Sequence, residues 1–168
     1  MIKRCTEADA DAIHAIINDA ADAYRGVIPA DCWHEPYMTR EHLSHELDSG
    51  VEFSGWFDSE TLVGVMGLQK VRDATLIRHA YVRPSHQSKG IGGTLLDALA
   101  ARVDGPLLVG TWADAAWAIR FYERHGFALV SSDEKDRLLD IYWTISPRQR
   151  DTSVVLTRAS SSRPEEPT

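Results

Sequence analysis

Cysteine is scarce: Cys5 and Cys32 are the only two in 168 residues. Two thiols do not build a disulfide framework, which argues against a small cross-linked secreted fold and fits a reducing compartment. Positive charge is also short, with 18 Lys and Arg against 25 Asp and Glu and a formal net charge of −7. Binding along a phosphate backbone needs a basic face, so nucleic acid is not an expected partner. A negative surface mildly favours cationic substrates such as amines. No run of about 20 apolar residues occurs, so no membrane span and no membrane partner are expected. The opening stretch, MIKRCTEADADAI, lacks the apolar core of a secretory leader, and the expected location is cytoplasmic. No internal repeat is visible.

What is present suffices for one core. The chain is 43% hydrophobic, which suits a single domain over residues 1–158. The remainder, ASSSRPEEPT, is polar and proline-bearing, so residues 159–168 are expected to be a disordered tail.

Periodicity supplies the elements. Thr6 followed by Asp9 resembles a capping box, and Ile13, Ile16, Ile17, Ala20 and Ala21 recur at helical spacing, predicting a helix over about 7–24. After a loop over 25–36, Thr39 is placed to cap a second helix running to about Asp48. The β-branched and aromatic stretch Val51–Phe57, a turn, and Thr61–Val71 read as a hairpin, with Thr75–Val82 as a third strand ended by Pro84. A helix follows with Ile91, Leu95, Leu96 and Leu99 on one face. Leu107–Thr111 reads as a buried strand. Asp114 is placed to cap a helix over about 115–125 that stops at Gly126. Phe127–Ser131 and Ser153–Arg158 read as strands and Arg137–Trp143 as a short helix. Hairpins first and alternating elements later predict an α/β fold with a mixed sheet.

The segment Ser85–Val103, SHQSKGIGGTLLDALAARV, places Gly90, Gly92 and Gly93 directly before an apolar helix. Helix starts carry unpaired N–H groups and partial positive charge, and glycines let an anion approach them. The P-loop spelling fails, because Lys89 precedes the glycines. The dinucleotide fingerprint fails as well, because position 95 is Leu.

A different spelling fits. Gln87-Ser88-Lys89-Gly90-Ile91-Gly92 matches Q/R-x-x-G-x-G/A after a strand ending Val82-Arg83-Pro84. About thirty residues later comes Ala118-Ile119-Arg120-Phe121-Tyr122-Glu123-Arg124-His125-Gly126-Phe127. Each motif is weak alone, but in this order and separation they resemble the GNAT superfamily of acetyl-CoA-dependent N-acetyltransferases, over about residues 2–158. The resemblance implies a central, mostly antiparallel twisted sheet flanked by helices. It implies acetyl-CoA as co-substrate, its pyrophosphate held by the amides of Ser88, Lys89, Gly90, Ile91, Gly92, Gly93 and Thr94. Gln87 would orient the loop, and Lys89 would either add charge or be solvated. The pantetheine arm would pair with the main chain of Ala80, Tyr81 and Val82 like an added strand. Homodimers are common in the family, so the resemblance also raises a homodimer.

Amine attack on a thioester needs a neutral amine, an oxyanion donor and an exit for the thiolate. By resemblance, Tyr122 is the general acid toward the thiolate and the amide of Val82 the oxyanion donor. Family members often carry a glutamate base on the strand before V-x-P. Here that strand is Thr75-Leu76-Ile77-Arg78-His79-Ala80-Tyr81-Val82, without a carboxylate. His79 is its titratable substitute, with a half-buried structural histidine and a water chain as the alternatives. The family asparagine that helps hold pantetheine is replaced by Ala115. Tyr24, Trp33, Tyr37 and Arg78 are the candidate acceptor-site residues, for an amine of a small molecule or a protein. His42 and His45 beside Glu46 read as a solvated helix face rather than a metal site. The competing function is a non-catalytic acyl-CoA-binding sensor.

Overall fold

The structure is a computed structural model that describes residues 1–159, so the predicted tail lies, but for Ala159, outside the described residues. β1 (Ile2–Arg4) leads into a turn of 3-10 helix and α1 (Ala10–Ala21). The Thr6 amide donates to Asp9 Oδ2 at 2.8 Å, the predicted box. Thr39 caps α2 (Arg40–Asp48), its side chain accepting from the His42 amide. β2 (Glu52–Asp58), β3 (Thr61–Val71) and β4 (Ala74–Val82) form a meander. Then come α3 (Ile91–Ala100), β5 (Leu107–Trp112), α4 (Ala116–Arg124), β6 (Ala128–Leu129), α5 (Ser132–Tyr142), α6 (Pro147–Asp151) and β7 (Ser153–Arg158).

The seven strands form one sheet in the order β1-β2-β3-β4-β5-β7-β6, antiparallel except for β4 beside β5. Strand alternation divides the core between the two faces. Leu107, Val109 and Leu156 join the cluster under α3 and α4, whereas Leu108 and Val155 join one with Leu138 and Leu139 of α5. α1 and α2 cover a third cluster with Phe53 and Val65. Among the described residues no helix is long and apolar enough to cross a membrane.

Two local expectations are corrected, and two elements that the sequence reading did not predict are added. Asp114 caps nothing: α4 starts from Ala115 with no side-chain cap. The predicted strand 127–131 shrinks to Ala128–Leu129, because Ser131 caps α5 by accepting from the Glu134 amide and starts that helix five residues earlier than its apolar face indicated. β1 is an edge strand of three residues, with only Ile2 not fully exposed, too short for a pattern. α6 buries nothing and is started by Ser146 and Pro147.

Two irregularities shape β4. Across β3–β4 the register runs Val65↔Tyr81 and then Gly67↔Arg78, so Met66 faces two residues, His79 and Ala80. This is a β-bulge, and His79 takes φ +54° within it, a conformation that non-glycine residues rarely adopt. On the other side, β4 pairs with β5 only over Thr75–Ile77 against Leu107–Val109. β5 stays paired with β7 out to Trp112, so β4 and β5 part beyond Ile77 and leave a fork between 78–82 and 110–112.

α3 carries the glycine segment, and Leu95 and Leu96 anchor it with no exposed surface. Leu96→Ala is expected to lower unfolding free energy by about 2–5 kcal/mol. Urea denaturation followed by circular dichroism checks this, and a loss below about 1 kcal/mol contradicts the placement.

Candidate active site

Two recesses open on the fork and meet at Tyr24, Ala80 and Tyr81, which line both. The larger, about 620 Å³, lies toward α3 and α4 and is lined by Val82, the loop 86–88, the start of α3, and Trp117, Phe121, Arg124 and His125. The smaller, about 170 Å³, is walled by Tyr37, Arg78, His79, Trp112 and Trp143.

The larger recess is built around the start of α3. Ser88 and Gly90 are both left-handed, at φ +64° and +77°. Gly90, the N-cap, has no side-chain cap to offer. The first backbone bond of the helix runs from the Thr94 amide to the Gly90 carbonyl at 3.0 Å. Among the described residues no hydrogen bond engages the amides of residues 88–93. A concave run of free donors at a ten-residue helix start is chemically fit for an anion. Gln87 fixes the loop to the strand, its Nε2 donating to the Val82 carbonyl at 3.1 Å.

The three glycines serve different ends. Gly90 provides the left-handed turn. A Cβ on Gly92 would touch Phe121 only at an ordinary 3.5 Å, whereas a Cβ on Gly93 would come within 2.7 Å of the His125 ring. That ring is held by Asp97, Nδ1 to Oδ1 at 3.2 Å. Lys89 is exposed and is not part of the wall. The cationic guanidinium of Arg124 and the imidazoles of His86 and His125 also line this wall, which the glycine motif did not reveal.

Aromatic residues occupy the junction. Tyr24 packs on Trp117 with ring centroids 5.1 Å apart and edge-on to Tyr81 at 6.3 Å. The Tyr81 hydroxyl donates to that of Tyr37 at 3.3 Å. Tyr81, expected to contribute only main chain, thus also supplies its side chain to the wall. Burial, and secondarily Tyr37, pushes the Tyr24 phenol up to about 12. Tyr122 is 6% exposed and packs between Phe121 and Phe127. Burial, with Tyr24 nearby, pushes its phenol upward too, so it remains a proton donor at neutral pH. Tyr122 lies behind the wall rather than in it. Ala115 is fully buried, and two residues on Trp117 occupies the cleft mouth at 40% exposure.

Behind the smaller recess stands a carboxylate that sequence reasoning assigned to solvent. Glu46 of α2 is 6% exposed. Its Oε1 lies 3.0 Å from His42 Nε2 and accepts from Arg78 Nη2 at 3.2 Å, and its Oε2 lies 3.5 Å from His79 Nε2. Burial opposes its ionisation, but the contact with His79 and the charges of Arg78, His79 and His42 outweigh it, holding the carboxyl at about 2. Burial depresses His79 despite Glu46, which keeps the imidazole neutral. Arg78 also donates to Gln69 at 2.9 Å, so its guanidinium is already engaged. Trp33 does not reach the recess. It stacks on Tyr37 at 5.7 Å and donates to Glu35 at 2.8 Å. The signal in the sequence was spacing: Glu46 falls three residues after Leu43, on the same face of α2. Among the described residues no three metal-ligating side chains are arranged to hold an ion.

The family model described as "Acetyltransferase (GNAT) family" matches residues 13–127. The chain belongs to this family. Solved structures agree on the fold. A GNAT-family acetyltransferase from Staphylococcus aureus Mu50 superposes with a TM-score of 0.71 at 16% identity, covering 96% of this chain and 99% of that one. The ribosomal-protein-S18-alanine N-acetyltransferase of Escherichia coli gives 0.69 at 18%, covering 100% and 98%. The PaiA N-acetyltransferase of Thermoplasma acidophilum, in complex with coenzyme A, gives 0.68 at 17%, covering 95% and 98%. In this GNAT protein the fork, the uncapped helix and the two recesses are therefore parts of an acetyltransferase scaffold.

The buried carboxylate makes the fold acid-sensitive. Its folded pKa is below the ordinary 4.5, so its stabilisation is complete above that pH and is lost as pH falls toward about 2. Tm is expected to drop steeply over that window. Glu46→Gln is expected to start lower at pH 7 and to show a shallower drop there. Equal slopes in a calorimetric pH series contradict the depressed value.

Proposed function

We propose that this protein transfers an acetyl group from acetyl-CoA to an amine of a small molecule or a protein. The observation that carries this is the meeting, at Ala80 and Tyr81, of an anion-ready helix start with a recess that holds a neutral histidine. When bound, acetyl-CoA supplies an activated thioester. The free amides of residues 88–93, with Arg124 and His125 on the same wall, hold its diphosphate, whereas the Thr94 amide is bonded to the Gly90 carbonyl, and Gln87 keeps the loop attached to β4. The main chain of Ala80, Tyr81 and Val82, freed from β5 by the fork, offers strand edge to the pantetheine amides.

In the smaller recess His79 takes a proton from the acceptor ammonium, whose ordinary pKa near 10 leaves it protonated at neutral pH. Tyr24 and Tyr37 orient the acceptor, with Trp33 supporting Tyr37 from behind, while Arg78 in the same wall is held by Glu46 and Gln69. The amide of Val82 donates to the developing oxyanion. Tyr122, kept protonated by burial, donates to the departing thiolate. Its position behind the wall favours one second reading, an acyl-CoA sensor that binds without turnover.

Two measurements test this. Calorimetry is expected to detect coenzyme A binding, and Gly92→Asp, which sets a carboxylate at the helix start, to weaken it by about tenfold or more. Unchanged affinity contradicts the site. Thiol release from acetyl-CoA across an amine panel is expected to need an acceptor and to fall about 10²–10⁴-fold in Tyr122→Phe. Tight binding with no turnover on any amine supports the sensor instead.

A further inference from the structure

We propose that Glu46 is a positioning residue for His79, holding the imidazole in the tautomer protonated on Nε2 so that the Nδ1 lone pair faces the acceptor recess. The proposal rests on the base role given to His79 above. Glu46 comes from α2, far in sequence from β4, yet its carboxylate is buried with Oε2 3.5 Å from His79 Nε2. That nitrogen is wholly buried and, among the described residues, forms no hydrogen bond; the Glu46 carboxylate faces it at ion-pair distance. The ring keeps 12% side-chain exposure and lines the smaller recess. Its plane is set by stacking on Phe53 of β2 at 6.1 Å and 27°. The bulge holds the residue at φ +54°, a strained backbone of the kind that clusters at functional sites.

The charges around the ring favour this division of labour. Glu46 and His42 face it from α2, and Arg78 from its own strand. On the recess side are the phenols of Tyr24, Tyr37 and Tyr81. Arg78 and His42 both oppose a positive imidazole, and Glu46 is the one group there that favours it. When the acceptor ammonium gives its proton to Nδ1, the amine nitrogen regains its lone pair and the imidazolium is balanced by Glu46. The carboxylate keeps its charge and takes no proton, as its low pKa requires.

Long-range proton–nitrogen NMR of the full chain carrying nitrogen-15 histidine reads the tautomer without any acceptor. Above pH 7, His79 is expected to carry its proton on Nε2, to lose that preference in Glu46→Ala and to regain part of it in Glu46→Asp. A proton on Nδ1 in the wild type, or an unchanged tautomer in Glu46→Ala, overturns the proposal. With any amine that supports thiol release, Glu46→Gln is expected to lower kcat about tenfold or more and to move the acid limb of its pH profile to lower pH. The KM for acetyl-CoA is expected to stay constant and Glu46→Asp to recover part of the loss. An unchanged Glu46→Gln limb, beside a limb lost in His79→Gln, overturns the positioning role alone. Wild-type kcat and limb in His79→Gln overturn the base assignment and the proposal with it.

Discussion

Three parallel residue pairs hold β4 to β5, and the rest of the site depends on the strands parting after them. A sheet that stayed paired to Val82 would have satisfied its backbone groups within itself and closed the space in which two ligands can meet. The bulge at His79 and Ala80 adds the twist that turns β4 away. β5 has no such freedom, because six pairs to β7 keep it straight. The opening is therefore a property of the sheet register, with helices at either side filling its walls.

Charge enters this opening in two unlike ways. On the α3 side it is carried mostly by main chain: free amides, a left-handed Ser88 and Gly90, and a helix start without a cap. On the α2 side it is carried by one buried carboxylate shared by Arg78, His42 and His79. A buried carboxylate survives only when paired and hydrogen-bonded. Three partners satisfy that condition, and they tie α2 to β4 at the residue where the strand bends. The aromatic group Tyr24, Tyr37, Tyr81 and Trp117 lines the junction of the two regions.

Much of this was legible in the chain. The strand Thr61–Val71, the apolar face of α3 and the strand Ser153–Arg158 follow from residue periodicity alone and stand where they were expected. The glycine loop likewise stands directly before α3, with Gly90 as its left-handed N-cap. Ser131 and Asp114 show the boundary of such inference: both are good capping residues, and only Ser131 caps. The choice depends on how the chain enters the helix, which propensity does not specify. The aromatic residues of the loop 25–37 were visible, but that Tyr24 and Tyr37 line the recess while Trp33 braces Tyr37 from behind was not.

By itself the sequence determined most of the elements, the family and the place of the glycine-rich helix start, because these rest on patterns among residues near one another in the chain. Only the tertiary structure decided that Glu46 is buried, that His79 lies against it, that Gly93 makes room for His125 and that Tyr81 joins the wall with its side chain. Each of these links residues more than thirty positions apart, or turns on a one-residue bulge. Alternation along a strand is so strict that a single inserted residue redirects every side chain after it, and no local pattern records that it has happened.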